Sequence, residues 1–220
     1  MKSARLLAAV GVFLAPSFVA AQESNPFTDS WFWGAKGGMA FLHTSVNRTE
    51  APTFGAEWLI TRSKFAFYLS ADQSYFDAIS SVDNAPSIGI VRLVDIRDMR
   101  RVTGSVYMFP KSFAGGAIRP YAGIGFAFNY IVRATSQGNQ FASPEARDTV
   151  LTRIETARTR TSLVGTLGTQ LHIGRLAPFV QASVMPTRGS NEFLINGQGF
   201  SYYVEGGLRW NFGNAIERIR

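Results

Sequence analysis

The sequence predicts an all-β protein: an eight-stranded antiparallel up-and-down transmembrane β-barrel, with short turns at one end and long loops at the other. Eight segments alternate apolar and polar residues position by position, as strands do when their two faces meet different media. The links between those segments alternate short and long. The 220-residue chain is 46% hydrophobic and 13% aromatic. Past its first residues, however, no uncharged apolar run approaches the ~20 residues that a spanning helix needs.

Residues 1–21 read as an export signal. Lys2 and Arg5 make a positive start, Leu6 to Pro16 an apolar core, and Val19-Ala20-Ala21 a small-residue cleavage site. Residues 22–30 are then an N-terminal lead, 31–212 the barrel and 213–220 a C-terminal tail. Removing Lys2 and Arg5 from the 22 basic residues leaves 20 against 15 acidic ones, so the net charge falls from +7 to +5. That excess is spread along the chain and mixed with acids, which argues against a nucleic-acid partner. Cysteine is absent, which excludes a lipoprotein anchor, a disulfide framework and a Cys-ligated metal site. The sequence shows no phosphate-cradling glycine loop, metal-ligand spacing or cofactor motif, so neither metal nor cofactor is expected.

The first segment, Trp31 to Thr44, sets Trp33, Ala35, Met39 and Phe41 against Gly34, Lys36 and Gly38. The second, Phe54 to Arg62, sets Phe54, Ala56, Trp58 and Ile60 against Glu57 and Thr61. In the third, Lys64 to Phe76, Phe65, Phe67, Leu69 and Ala71 oppose Ser70, Asp72 and Ser74. The fourth, Arg101 to Phe109, opposes Val102, Val106 and Met108 to Arg101, Thr103, Ser105 and Tyr107. The fifth, Arg119 to Val132, carries Ala122, Ile124, Phe126, Phe128 and Tyr130 on one face, with Tyr121, Gly123, Gly125, Ala127 and Asn129 on the other. The sixth, Arg158 to Ile173, opposes Leu163, Leu167 and Leu171 to Ser162, Thr166, Gln170 and His172. The seventh, Leu176 to Pro186, opposes Val180, Ala182 and Val184 to Gln181 and Ser183. The last, Ser201 to Phe212, is the most regular: Tyr202, Val204, Gly206, Leu208, Trp210 and Phe212 against Ser201, Tyr203, Glu205, Gly207, Arg209 and Asn211. Each offers the roughly 9–11 residues that a tilted strand needs to cross hydrocarbon.

The links after the second, fourth and sixth segments are short: Thr61 to Lys64, Pro110 to Ile118, and Gly174-Arg175. The others are long: Ser45 to Thr53, Asp77 to Arg100, Ala134 to Ala157, and Thr187 to Gly199. Short periplasmic turns and long external loops follow if the N-terminus is periplasmic. Closure follows too, since unpaired strand edges are costly in lipid. A soluble barrel of lipocalin type would be apolar inside and polar outside. Against it stand two aromatic girdles on the apolar face: Trp33, Phe65, Trp210 and Phe212 near one end, and Phe41, Phe54, Phe128, Tyr130 and Tyr202 near the other.

Six ionisable residues fall on the polar face: Lys36, Glu57, Asp72, Arg101, Glu205 and Arg209. Three bases meet three acids, which predicts a paired, plugged lumen, because buried charges persist when they are partnered. A narrow ion or small-solute channel that opens when partners swap is the alternative. Arginines close to the outer rim, Arg133, Arg158 and Arg160, are candidate contacts for lipopolysaccharide phosphates, which guanidinium groups grip bidentately. His43 and Ser45 share a face near that rim, a spacing similar to the His-x-Ser of lipid A deacylases, with Glu50 nearby as a candidate orienting carboxylate. That minor alternative is an outer-leaflet lipid hydrolase. His172 reads as a lumen filler.

The final strand, Glu205-Gly206-Gly207-Leu208-Arg209-Trp210-Asn211-Phe212, resembles the terminal targeting signal of outer-membrane barrels. Arg119-Pro120-Tyr121-Ala122-Gly123-Ile124-Gly125 resembles the strand opening of small barrels of the opacity-protein and OmpA-like type. The resemblance implies insertion by the barrel assembly machinery, with Gly207, Trp210 and Phe212 as the assembly signal. Here Gly213 to Arg220 follow the aromatic residue that ordinarily closes such chains. The expectation is therefore a monomeric, non-enzymatic bacterial outer-membrane barrel among lipid and lipopolysaccharide, in a structural or surface-interaction role.

Overall fold

The computed structural model describes residues 27–81, 93–136, 144–186, 193–196 and 199–214. The expected export signal at 1–21 lies outside the described residues, as do lead residues 22–26 and tail residues 215–220. Eight strands form a closed barrel in chain order: β1 (Ser30–His43), β2 (Arg48–Arg62), β3 (Phe65–Ser81), β4 (Leu93–Met108), β5 (Ile118–Ser136), β6 (Thr159–Leu171), β7 (Leu176–Pro186) and β8 (Phe200–Asn214). Every neighbouring pair is antiparallel, and β8 closes on β1. The β2–β3, β4–β5 and β6–β7 links define a turn end, and the remaining links a loop end. Among the described residues no helix is long and apolar enough to cross a membrane.

Alternation sorts the side chains as expected. Outside stand Phe67, Leu69, Val106, Phe126, Leu163, Val180 and Leu208, with Leu167 68% exposed, while Arg209 inside is fully buried. The barrel is thus inside-out relative to a soluble one, the polarity of a barrel whose outer solvent is hydrocarbon. Trp33, Phe65, Trp210 and Phe212 stand exposed toward the turn end, and Phe54, Phe128, Tyr130 and Tyr202 toward the loop end. Phe41 is only half-buried.

The strands run further at the loop end than alternation indicated, and three links are corrected. The link after β1 is short, because β2 begins at Arg48 rather than Phe54. The Thr44 hydroxyl organises that turn, accepting from the Val46 and Asn47 amides at 3.2 and 3.0 Å. β3 extends to Ser81 and β4 starts at Leu93 rather than Arg101. The reason is a bulge. Asp98 adopts φ 54° and its carboxylate accepts the Phe76 amide at 3.2 Å. Below it Met99 and Arg101 face inward, above it Val94 and Ile96 do, so the parity of β4 flips and a fixed period of two loses the strand. Similarly, the link after β5 shortens to residues 137–158 and holds a helix, α1 (Pro144–Ala157). A proline in the first turn, Glu145 beside it, and Ile154 and Ala157 three apart were its legible signals. A helical turn, α2 (Phe193–Asn196), sits in the link after β7, where Leu194 and Ile195 adopt positive φ and bury their side chains.

Beyond the membrane-like belt the inside turns apolar. Leu42, Phe76, Ile96, Met99, Ile131 and Met185 pack with Ile154 of α1 and with Leu194 and Ile195 of α2, forming a cap over the loop-end mouth. At the turn end Phe32, Tyr68, Tyr107, Phe109 and Tyr121 fill the barrel, and Phe27 of the lead closes it from below. Tyr68, Tyr107 and Tyr121 stack at 4.6 and 5.0 Å between ring centroids. Gly123 makes room for this stack, since a Cβ there would stand 2.1 Å from the Tyr107 ring. Gly123→Val is therefore expected to cost about 1–3 kcal/mol by overpacking, read by urea unfolding in detergent micelles. Gly104→Ala, where an added Cβ meets nothing within 4 Å, serves as the near-neutral control.

Candidate functional site

The charged lumen draws on five strands. Lys36 comes from β1, Glu57 from β2, Asp72 from β3, Arg101 from β4, and Glu205 and Arg209 from β8; all six are buried. The structure brings all six into ion pairs, divided into two groups. Lys36 Nζ lies 2.9 Å from Asp72 Oδ1 and 3.1 Å from Glu205 Oε1. Arg101 Nη2 lies 3.1 Å from Asp72 Oδ2 and 2.7 Å from Glu205 Oε1. Two cations and two anions thus close a ring in which each charge touches both opposites. The second group is one pair, Arg209 Nε to Glu57 Oε1 at 2.6 Å.

Neutral groups that charge-matching alone does not reveal complete both sets. Tyr68 donates to Glu57 Oε2 at 3.1 Å, and Arg209 Nη1 donates to Gln170 Oε1 at 2.6 Å. Gln181 donates to Glu205 Oε2 at 3.0 Å and accepts from the Tyr121 hydroxyl at 3.0 Å. Ser70 donates to Asp72 Oδ2 at 3.1 Å. Aromatic faces cover the guanidinium groups: Arg101 Cζ sits 3.8 Å from the Tyr203 ring centroid, and Arg209 Cζ 3.9 Å from that of Phe179. Their common signal in the sequence was inward parity; their partners were not legible.

A small cavity beside the four-charge ring is lined by Lys36, Tyr68, Arg101, Thr166, Gln181 and Glu205. It has room for about one water molecule. Between the aromatic floor and the apolar cap, this arrangement holds charge in place. An ion entering it would have to displace a partnered charge in a low-dielectric interior, which is costly.

The rim residues separate. Arg158 is committed to the protein: its guanidinium donates to the Ile131 and Val132 carbonyls at 3.1 and 2.7 Å, to the Tyr130 hydroxyl at 2.8 Å, and to Glu155 Oε2 at 2.8 Å. It fastens the end of α1 to β5. Arg160 is half-buried on the inward parity of β6. Of the three expected lipid contacts, only Arg133 stands exposed, directly opposite Arg97, whose Nη2 pairs with Asp77 at 2.9 Å. The His43 and Ser45 pair is not assembled for catalysis. His43 Nδ1 bonds the Phe200 carbonyl. The Ser45 hydroxyl bonds Ser80 at 3.1 Å and accepts the Ser81 amide at 2.8 Å. Among the described residues no hydrogen bond joins that imidazole to that hydroxyl, as a nucleophile and its base require. His172 is half-buried at the turn end, its ring 6.5 Å from that of Phe32.

In the final strand Trp210 and Phe212 point outward. Gly207 has a packing reason of its own: a Cβ there would stand 2.3 Å from the Ala35 carbonyl oxygen and 2.8 Å from the Phe179 ring.

No protein-family model matches the chain. No curated protein does either. Solved structures do. The crystal structure of Neisserial surface protein A aligns with a TM-score of 0.54 at 12% identity, covering 83% of this chain and 97% of that one. This is the small outer-membrane barrel fold. The attachment invasion locus protein of Yersinia pestis, Ail, aligns with a TM-score of 0.49 at 10% identity, covering 84% of this chain and 100% of that one. At such identities the shared property is the barrel itself, so any role must be argued from this chain's own residues.

Proposed function

We propose that this chain is a non-enzymatic integral outer-membrane protein with a structural or surface-interaction role, its lumen plugged by paired charges. One observation carries the reading: an apolar exterior surrounds a lumen whose six charges are all partnered, between an aromatic floor and an apolar cap. A barrel so filled offers rigidity and a platform of loops rather than a path. In this reading the residues 1–21 direct export, and the assembly machinery recognises Gly207, Trp210 and Phe212. The barrel stands as a monomer, and Arg133 meets lipopolysaccharide phosphate at the outer rim.

Planar-bilayer recording tests the plug. The wild-type barrel is expected to give no steady single-channel conductance. Steady conductance that changes with Glu57→Ala or Arg101→Ala would replace the plug with the channel reading.

A further inference from the structure

We infer that the lumen contains a binding site for ordered internal water, beside the four-charge ring and held by the hydroxyls of Thr103 and Tyr107. This rests on the reading of the lumen as a closed plug, and it names what occupies the one polar cavity described above.

The cause lies in the two strands that flank β4. Three successive inward side chains of β4, Thr103, Ser105 and Tyr107, stand opposite Ala127, Gly125 and Gly123 of β5. None of those three carries a polar side chain, so β5 offers the hydroxyls no partner. On the other flank Ser70, opposite Thr103, donates to Asp72 at 3.1 Å, and Ala66, opposite Tyr107, has nothing to offer. All three hydroxyls are accordingly buried without a hydrogen-bond partner in the protein. Leaving a buried hydroxyl in that state is costly. Two of them, Thr103 and Tyr107, line the cavity beside the ring. Lys36 lines it too. Its ammonium has three N–H groups and two carboxylate partners, Asp72 and Glu205.

Size and charge together select the occupant. Asp72 and Glu205 already balance Lys36 and Arg101. A further cation would meet two like charges, and a further anion two carboxylates, in a low-dielectric interior where each repulsion is strong. The occupant is therefore neutral and small. It must also accept, because an ammonium only donates, and exchange bonds with hydroxyls, which do both. Water meets every condition, and a polar cavity of this size with two to four polar partners holds it. Closed in by the aromatic floor and the apolar cap, this water belongs to the plug and is not a section of a path.

Crystals of the full chain, refolded in detergent and diffracting finely enough to show ordered solvent, test the site. They are grown once from sodium chloride and once from sodium bromide. Water density within hydrogen-bond distance of Thr103 Oγ1 and Tyr107 Oη is expected in both, without an anomalous bromine signal. Thr103→Val, which keeps the shape of the side chain, and Tyr107→Phe are each expected to lose the density at the hydroxyl removed. The ion pairs of the ring are expected to stay in place in both variants. A cavity that is empty in the wild type, or that holds bromide, overturns the proposal and leaves the plug reading standing. A file of water running from one mouth to the other sinks the plug reading, and the proposal falls with it.

Discussion

Glu205→Ala is expected to destabilise the barrel by about 3–5 kcal/mol, the usual cost of leaving a buried charge without its partner. Glu205 is the shared acceptor of Lys36 and Arg101 and also takes the Gln181 amide. Its removal leaves Asp72 alone to balance two cations whose side chains are no more than 3% exposed. Solvent cannot relieve the imbalance, because the floor and cap exclude it. The paired replacement Glu57→Leu with Arg209→Met removes both members of the other group together. It is expected to cost less than Glu57→Leu alone, since no unpartnered charge is left behind. Urea unfolding in detergent micelles, run as a double-mutant cycle, measures both. A Glu205→Ala barrel as stable as wild type would mean that the lumen is wet enough to screen its charges.

Leu167→Arg should cost about 2–4 kcal/mol in a bilayer, whereas Thr159→Arg on the same strand should cost at most about 1. Both side chains face outward on β6, eight positions apart, so strand and parity are the same for each. Depth sets the cost of the new charge: Leu167 lies in the middle of the apolar belt and Thr159 at its loop-end margin. Unfolding in phospholipid vesicles, followed by tryptophan fluorescence, gives the two costs directly. Equal costs would show that the apolar belt does not sit in hydrocarbon, and the proposed location would fall with it.

How far the sequence reached is clear from individual residues. Leu163 and Leu167 against Ser162 and Thr166 declared the two faces of β6 because strand alternation is local: two neighbours suffice to show it. The same rule failed at Asp98, where one residue at positive φ reversed the parity of β4 and hid its outer part. It failed again at Arg48 to Ala51, where polar residues outside the belt no longer signal by hydrophobicity. Arg158 read as a free rim cation; its four acceptors come from β5 and α1, and only the folded loop assembles them.

By itself, then, the sequence determined the number of strands, the face each side chain takes within the apolar belt, the inside-out polarity and the identity of the six lumenal charges. Tertiary structure alone decided that Lys36 meets Glu205 across 169 residues of chain, that Arg209 belongs to Glu57, and that α1 and α2 seal the mouth. The physical reason is range. Alternation is written between adjacent residues, whereas partners across a closed barrel depend on register summed over every intervening strand, and one bulge or one turn of different length shifts them all.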